Sequence, residues 1–397
     1  MDANKAAFRA NVWKIALSEF GSGAMLYIPV IVLFLQENGL SLTQVFYLQS
    51  IFAIFLMLGE IPTGYISDRW GRRNALALGS LLRFLGVLVY ALSSSIPGFI
   101  AAEFLIAMGW SLRSGTVEAM LYDSLLETKD TVSFRKMIGQ LRFYFFFAEA
   151  ISALIAGLLA AWISLRAPFV ASLIPFAISF ILSLTLAEPS RHIPDETHHL
   201  KAMGRIAWRT LRKPAERTII LLYAIISTLG LSLFWFTQPY LQQIELPLEY
   251  YGLVHAVVVM AGAFTAKYTH TAEQYVDDRI LLFCVSLLLT ASIVTLGVVS
   301  SIYALALFVI SRISWAVVTP LTSDMLNRMT SSDIRATVLS LKAFGQRVLF
   351  ALVTPLFGLL VQAFTLNQAL LVVGIVGGAM VAVVLLMMRP VWGKIPA

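Results

Sequence analysis

The sequence predicts an all-α integral membrane protein with twelve transmembrane helices in two pseudo-symmetric six-helix bundles around a central cavity. Three observations predict it. Of 397 residues, 59% are hydrophobic and 13% are charged, whereas soluble domains carry about 25% charged residues. The apolar residues fall in long runs, and a bilayer core of ~30 Å needs ~20 residues of helix to cross it. The two halves of the chain also place similar residues at similar intervals.

Splitting the chain at charges, Pro/Gly and polar clusters gives the spans in order. The polar start MDANKAAFRANVWK leads into 12–35, a run too long for a signal-peptide core and read as a retained first span. The charges of 68–73 separate 44–66 from 74–93, and SSSIPG separates the latter from 98–121. A basic loop precedes 137–162, and Arg166-Ala-Pro divides that run from 168–187. After the longest loop come 218–242, 250–268, 280–299, 302–325, 336–363 and 368–388. In lipid every backbone polar group must be satisfied internally, which a helix does by itself. The short alternating segments of a β-barrel are missing.

Loop charges orient the spans. Lys5 and Arg9; Arg69, Arg72 and Arg73; Lys129, Arg135 and Lys136 lie on one side. So do the basic residues of 188–217, then Lys267, Arg279, Arg328, Arg335, Arg389 and Lys394. The opposite loops hold only Arg166. Both termini are therefore expected in the cytoplasm and the chain in the inner (plasma) membrane. The net charge of +7 reads as this orientation signal, with no nucleic-acid partner.

The expected domains are 1–187, a cytoplasmic linker 188–217, and 218–397. The linker's KAMGRIAWRTLRK suits a basic amphipathic helix on the membrane surface. His192, His198 and His199 lie near Asp195 and Glu196 there, and a solvated linker is expected rather than a metal site. Cys284, the one cysteine, is expected buried and inert. A shift of 201 residues places Asp123 on Asp324 and GLL at 157–159 on GLL at 358–360. Such parallel repeats suit a transporter of two related bundles.

The loop GYISDRWGRR carries the sharpest signal. Gly64, Asp68, Arg69, Gly71, Arg72 and Arg73 fill G-x-x-x-D-[RK]-x-G-[RK]-[RK] and so resemble the signature of the major facilitator superfamily, between spans two and three. The resemblance implies a latch of the outward-open state. The carboxylate at Asp68 would sit against the start of span eleven, near Ala336-Thr337, where the helix dipole favours negative charge. The arginines would reach an acid at the end of span four, where Asp123 stands. Gly64 and Gly71 permit close helix approach and a tight turn. The second-half counterpart GAFTAKYTHTAEQYVDDR keeps Gly262 and Lys267 but no Asp-Arg-x-Gly-Arg-Arg. The Gly-Pro motif frequent in span five of the superfamily's drug exporters is also missing, since that span reads FFFAEAISALIAGLLA.

A mid-span charge costs at least ~2.5–3.5 kcal/mol and needs a reason. The first half holds Glu19, Glu60, Arg83, Glu103, Arg113, Glu118, Arg142 and Glu149; the second holds His255, Arg312, Lys342 and Arg347, with Asp324 at a span end. Glu149 and then Glu19 are the expected proton carriers, because a buried carboxyl near an arginine is balanced between its two forms. The alternative for each is a permanent salt bridge. Arg142 lies two turns from Glu149 and is expected to share its cavity, while Arg113 and Glu118 are expected to face different directions. Glu60 and Glu103 lie nearer span ends, where snorkelling is easier, and are assigned no role. Arg312, Lys342 and Arg347 must meet water, first-half acids or an anionic substrate, with snorkelling to the interface the alternative for Lys342 and Arg347. Trp235, Gln238 and Tyr240 of LFWFTQPY suit an amphipathic ligand or a packed core.

No P-loop, H-E-x-x-H, G-x-S-x-G or Cys/His metal set appears, so neither an enzyme nor a cofactor or metal is expected. The expected function is secondary active transport by alternating access, with proton-coupled export of small amphipathic organic compounds. The alternatives are proton-coupled uptake of an organic anion, nutrient or iron chelator, and a non-transporting membrane receptor. The expected partners are a small-molecule substrate, protons and the lipid bilayer, for a chain acting as a monomer.

Overall fold

The computed structural model describes residues 2–128, 134–189, 199–273, 275–331 and 334–394. The described residues form helices joined by short turns, with no strand among them. Twelve helical stretches are long and apolar enough to cross a membrane. In the first half they are span one (Lys5–Glu37), two (Leu42–Glu60), three (Arg72–Leu92), four (Ile96–Thr128), five (Lys136–Trp162) and six (Ala167–Leu184). In the second half they are span seven (Pro214–Gln243), eight (Leu248–Thr269), nine (Asp278–Leu296), ten (Ile302–Met329), eleven (Arg335–Ala363) and twelve (Leu366–Gly393). Each overlaps one of the runs read from the sequence.

Two spans expected to be continuous are broken. Span one is helical over Asp2–Gly23, turns, and resumes at Ile28–Val30 and Ile31–Glu37. Gly-Ser-Gly precedes the break and Pro29, which has no N–H to donate, follows it. Span four is helical over Ile96–Arg113 and Thr116–Thr128. Between them Gly115 takes φ +74°, a conformation that costs glycine little and other residues much.

Two compact units group these helices, and each is described by itself. The first comprises Met1–Ser41, Ile51–Pro194 and Pro247–Ala256. Spans three and four meet where a Cβ on Gly109 would stand 2.6 Å from the Gly79 carbonyl oxygen. Hydroxyls join span one to span six, with the Oγ atoms of Ser18 and Ser179 2.9 Å apart. Such polar links can hold helices together in lipid, where no hydrophobic force does so. At the end that carries the loop between spans two and three, Ile15, Leu76, Met120, Leu121, Leu125 and Leu186 pack into one cluster.

The second unit comprises Leu42–Ser50, Asp195–Leu246 and Val257–Ala397. Phe46, Phe236 and Phe357 pack in its interior with their rings tilted or edge-on to one another. The Tyr240 hydroxyl donates to the Val299 carbonyl at 2.6 Å, tying span seven to the loop after span nine. A helix over His199–Arg212 precedes span seven, with Arg205, Trp208, Arg209 and Arg212 exposed.

Cys284 corrects an expectation, because it is exposed. It shares a face of span nine with exposed Ile280, Phe283, Leu287 and Leu288. An apolar run in a membrane helix marks lipid contact as readily as a core, and here lipid is the reading the exposure supports.

Candidate functional site

The signature loop makes the first cluster. Span two's helix continues to Trp70, and Gly71, with φ +110°, starts a new helix at Arg72. The Arg72 guanidinium pairs with the Asp123 carboxylate and also donates to the Ala119 carbonyl. The backbone N–H groups of Arg72 and Arg73 donate to the two oxygens of Glu188, at 2.9 and 2.8 Å. A carboxylate at a helix start satisfies N–H groups that have no partner within the helix and meets the positive end of its dipole. Glu188 was not read from the sequence. Its only local signal was an acid beside a proline at the end of span six. Arg69 and Arg73 are exposed. The Gly64 environment and the Asp68 carboxylate, expected against span eleven, lie outside the described residues. So do His192 and His198 of the central loop.

The second half carries a counterpart that its sequence pattern concealed. Arg328, near the end of span ten, pairs with Asp278, the first residue of span nine, and with Asp324 one turn back at 3.0 Å. Arg72 likewise is the first residue of its helix, and Asp123 ends span four. The clamp is present with its charges exchanged, so a search for basic residues after span eight misses it.

The second cluster lies inside the first unit. Glu19 pairs with Arg113, whose guanidinium also donates to the hydroxyls of Ser80 and Ser18. Arg113 is buried, so its charge needs this set of acceptors. A cavity of about 280 Å³ opens beside the pair, lined by Glu19, Trp110, Arg113, Glu118, Arg142 and Phe145 among others. Arg113 and Glu118 thus face one space, contrary to expectation, because the turn at Gly115 redirects span four. Arg142 lies 3.8 Å from Glu118, and both side chains are exposed, so their attraction is weak. Above the cavity, fully buried Arg83 lies between the rings of Trp110 and Phe176, at 4.2 and 4.7 Å, and donates to the Ser22 carbonyl.

Glu149 is not among the cavity residues, which corrects the expected sharing with Arg142. Its Oε1 lies 3.1 Å from Nε2 of His255, and each side chain is 11% exposed. About two turns along, spans five and eight touch backbone to backbone, where a Cβ on Gly157 would stand 2.6 Å from the Glu249 carbonyl oxygen. The sequence marked His255 as an intramembrane charge but gave no partner, since the two lie 106 positions apart. Glu103, to which the sequence assigned no role, is buried and accepts a 2.6 Å hydrogen bond from Tyr90.

The second-half cations find a solution that the sequence reading did not consider. Lys342 is buried, donates to the Thr319 carbonyl at 3.1 Å and to the Thr322 and Ser323 hydroxyls, and lies 4.1 Å from the Tyr223 ring. Arg312 stands over Trp315 at 4.7 Å, in space left by Gly262. Around Lys342, neutral oxygens and a ring face thus stand among the described partners. Arg347 lies on span eleven, half-buried. Trp235 and Gln238 are buried in span seven, which places them in the core.

The Major Facilitator Superfamily profile matches residues 15–272. No curated protein sequence is matched. Among solved structures, the chain is similar to the nucleoside transporter NupG, at 10% identity and a TM-score of 0.77, covering 97% of this chain and 99% of that one. It is similar to a bacterial homologue of the human lysosomal transporter Spinster, in an inward-facing, unoccupied conformation (17%, TM-score 0.74, 99% and 98%). A D-xylose–proton symporter is also similar (14%, TM-score 0.72, 97% of each chain).

Proposed function

Because the chain belongs to the major facilitator superfamily, we propose that it exports small amphipathic organic compounds in exchange for protons, by alternating access. The superfamily and its solved neighbours make it a multi-pass membrane transporter of small molecules rather than an enzyme. The loop charges support a plasma-membrane location with cytoplasmic termini.

The observation that carries the finer reading is the Glu19–Arg113 pair bordering the first unit's cavity. Aromatic walls from Trp110 and Phe145, with charges of both signs, suit a compound that is apolar over most of its surface and polar at one end. A proton on Glu19 removes the negative partner of Arg113, so substrate and proton compete for one guanidinium. Glu149 supplies a second carboxyl inside the membrane, with its Oε1 facing the His255 imidazole. Arg72–Asp123, Glu188 and the Asp278–Arg328–Asp324 clamp are the gate parts at the span ends. Asp68 and Arg69 complete that loop in this reading.

Uptake of an organic anion, nutrient or iron chelator is the second reading. It rests on Lys342, whose described partners are all uncharged, and on Arg312 and Arg347. The test is accumulation of a panel of cationic dyes, drugs and organic anions in cells with and without the protein, each with and without a proton uncoupler. Uncoupler-sensitive depletion supports export. Uncoupler-sensitive enrichment of anions replaces it with the second reading, and no protein-dependent difference across the panel counts against both.

A further inference from the structure

Spans nine and twelve leave a groove of about 390 Å³ on the second unit, a volume within the ~300–1,000 Å³ of small-molecule sites. Its walls are apolar, with exposed Phe283 and Leu287 on one side and Leu385 on the other. Gly378 lies at its inner end. Its mouth holds Arg279, Arg389 and Trp392. Arg279 belongs to the first turn of span nine, and Arg389 directly follows the helix Leu366–Met388 of span twelve. The basic bias of the loops assigns that end to the cytoplasmic surface, where a tryptophan also suits the headgroup level.

Among the described residues, no salt bridge joins Arg279 or Arg389 to an acid. The Arg279 guanidinium donates to the Trp392 carbonyl at 3.4 Å and lies 5.3 Å from its ring, and neither contact carries a formal charge. The two adjacent acids are engaged. Asp277 caps the helix by accepting the backbone N–H of Arg279 at 2.8 Å, and Asp278 pairs with Arg328. Two guanidinium groups therefore stand at headgroup depth over an apolar trough that runs into the bilayer. Basic pockets between helices on the cytoplasmic side suit acidic lipid headgroups.

The geometry points to a binding site for an anionic phospholipid of the cytoplasmic leaflet, with its phosphate between Arg279 and Arg389 and an acyl chain along Phe283, Leu287 and Leu385. This assignment is independent of the transported substrate and of proton coupling.

Native mass spectrometry of the full chain in detergent, titrated with phosphatidylglycerol or phosphatidylcholine, tests it. Wild type retains phosphatidylglycerol in preference. Arg279→Gln/Arg389→Gln weakens that retention roughly 30-fold, at about fivefold per basic residue near the surface, and leaves phosphatidylcholine unchanged. The corresponding double lysine variant, R279K/R389K, restores most of it, which separates lost charge from lost fold. Gly378→Leu fills the groove with its charges intact. A Cβ there meets nothing closer than the Thr290 Cβ at 3.6 Å, so the backbone accepts a side chain at this position, and the variant also weakens retention while its melting temperature stays near that of wild type. Equal retention of the two lipids by wild type overturns the site. So does unchanged phosphatidylglycerol binding in the double glutamine variant. Binding insensitive to Gly378→Leu overturns it as well, since a headgroup held only at the surface does not need the groove.

Discussion

Replacing Asp123 with Ala leaves Arg72 one of its two side-chain partners, whereas replacing Arg72 with Ala removes both. The guanidinium bonds the Asp123 carboxylate and the Ala119 carbonyl, and the two paired side chains are 18% and 15% exposed. A hydrogen bond to a charged group contributes about 1.5–3 kcal/mol, and partial exposure favours the lower end. Asp123→Ala is therefore expected to cost about 1.5 kcal/mol. Arg72→Ala loses the carbonyl bond too and costs about 1 kcal/mol more, near 2.5 kcal/mol. The Glu188 bonds use the backbone N–H groups of residues 72 and 73, so both variants keep them. A double-mutant cycle then gives a coupling of about 1.5 kcal/mol. The assay is denaturant titration of the detergent-solubilised protein, followed by tryptophan fluorescence. A coupling below about 0.3 kcal/mol, within the additivity expected of independent sites, refutes the pair. So does an Asp123→Ala variant less stable than Arg72→Ala.

Other outcomes follow from the same geometry. Glu188→Ala removes a helix cap and should destabilise the protein by about 1 kcal/mol in the same titration; an unchanged midpoint counts against the cap. Asp278→Arg and Arg328→Asp should each lower stability, and the double exchange should recover part of the loss, so a double variant no better than the worse single one removes the clamp. Gly157→Leu should lower the melting temperature by forcing spans five and eight apart, at about 1–3 kcal/mol for overpacking; an unchanged melting temperature contradicts their backbone contact. Asp68→Asn should slow transport while membrane insertion stays intact, and normal flux in that variant argues against a gating role for the loop.

The bilayer made the fold legible. Apolar runs of spanning length and the bias of Lys and Arg fix twelve spans because each constraint acts within one segment. The breaks at Ala24–Tyr27 and Ser114-Gly115 were harder to read, since a glycine within an apolar run is tolerated in a helix and does not by itself mark an end. Of the candidate site, Arg72 and Asp123 were legible through a motif and a repeat. Glu188 and His255 were not, because partners 116 and 106 positions away leave no local signature. The clamp in the second half was hidden by a different cause. Electrostatic attraction is unchanged when both signs are exchanged, whereas a residue pattern is not. Lys342 shows a related limit, since three oxygens and a ring held its charge where the sequence suggested only ions, water or ligand.

The central claim is that substrate movement and proton movement are tied through Glu19 and Glu149. The direct measurement uses proteoliposomes containing the purified protein, a pH-sensitive dye inside, and a compound that the cellular panel identifies as transported. Adding that compound should drive protons in the opposite direction in wild type. Glu149→Gln and Glu19→Gln should abolish the proton signal while the protein still inserts and folds. Transport of the compound by wild type with no accompanying proton movement, or an unchanged proton signal in both variants, would contradict the account.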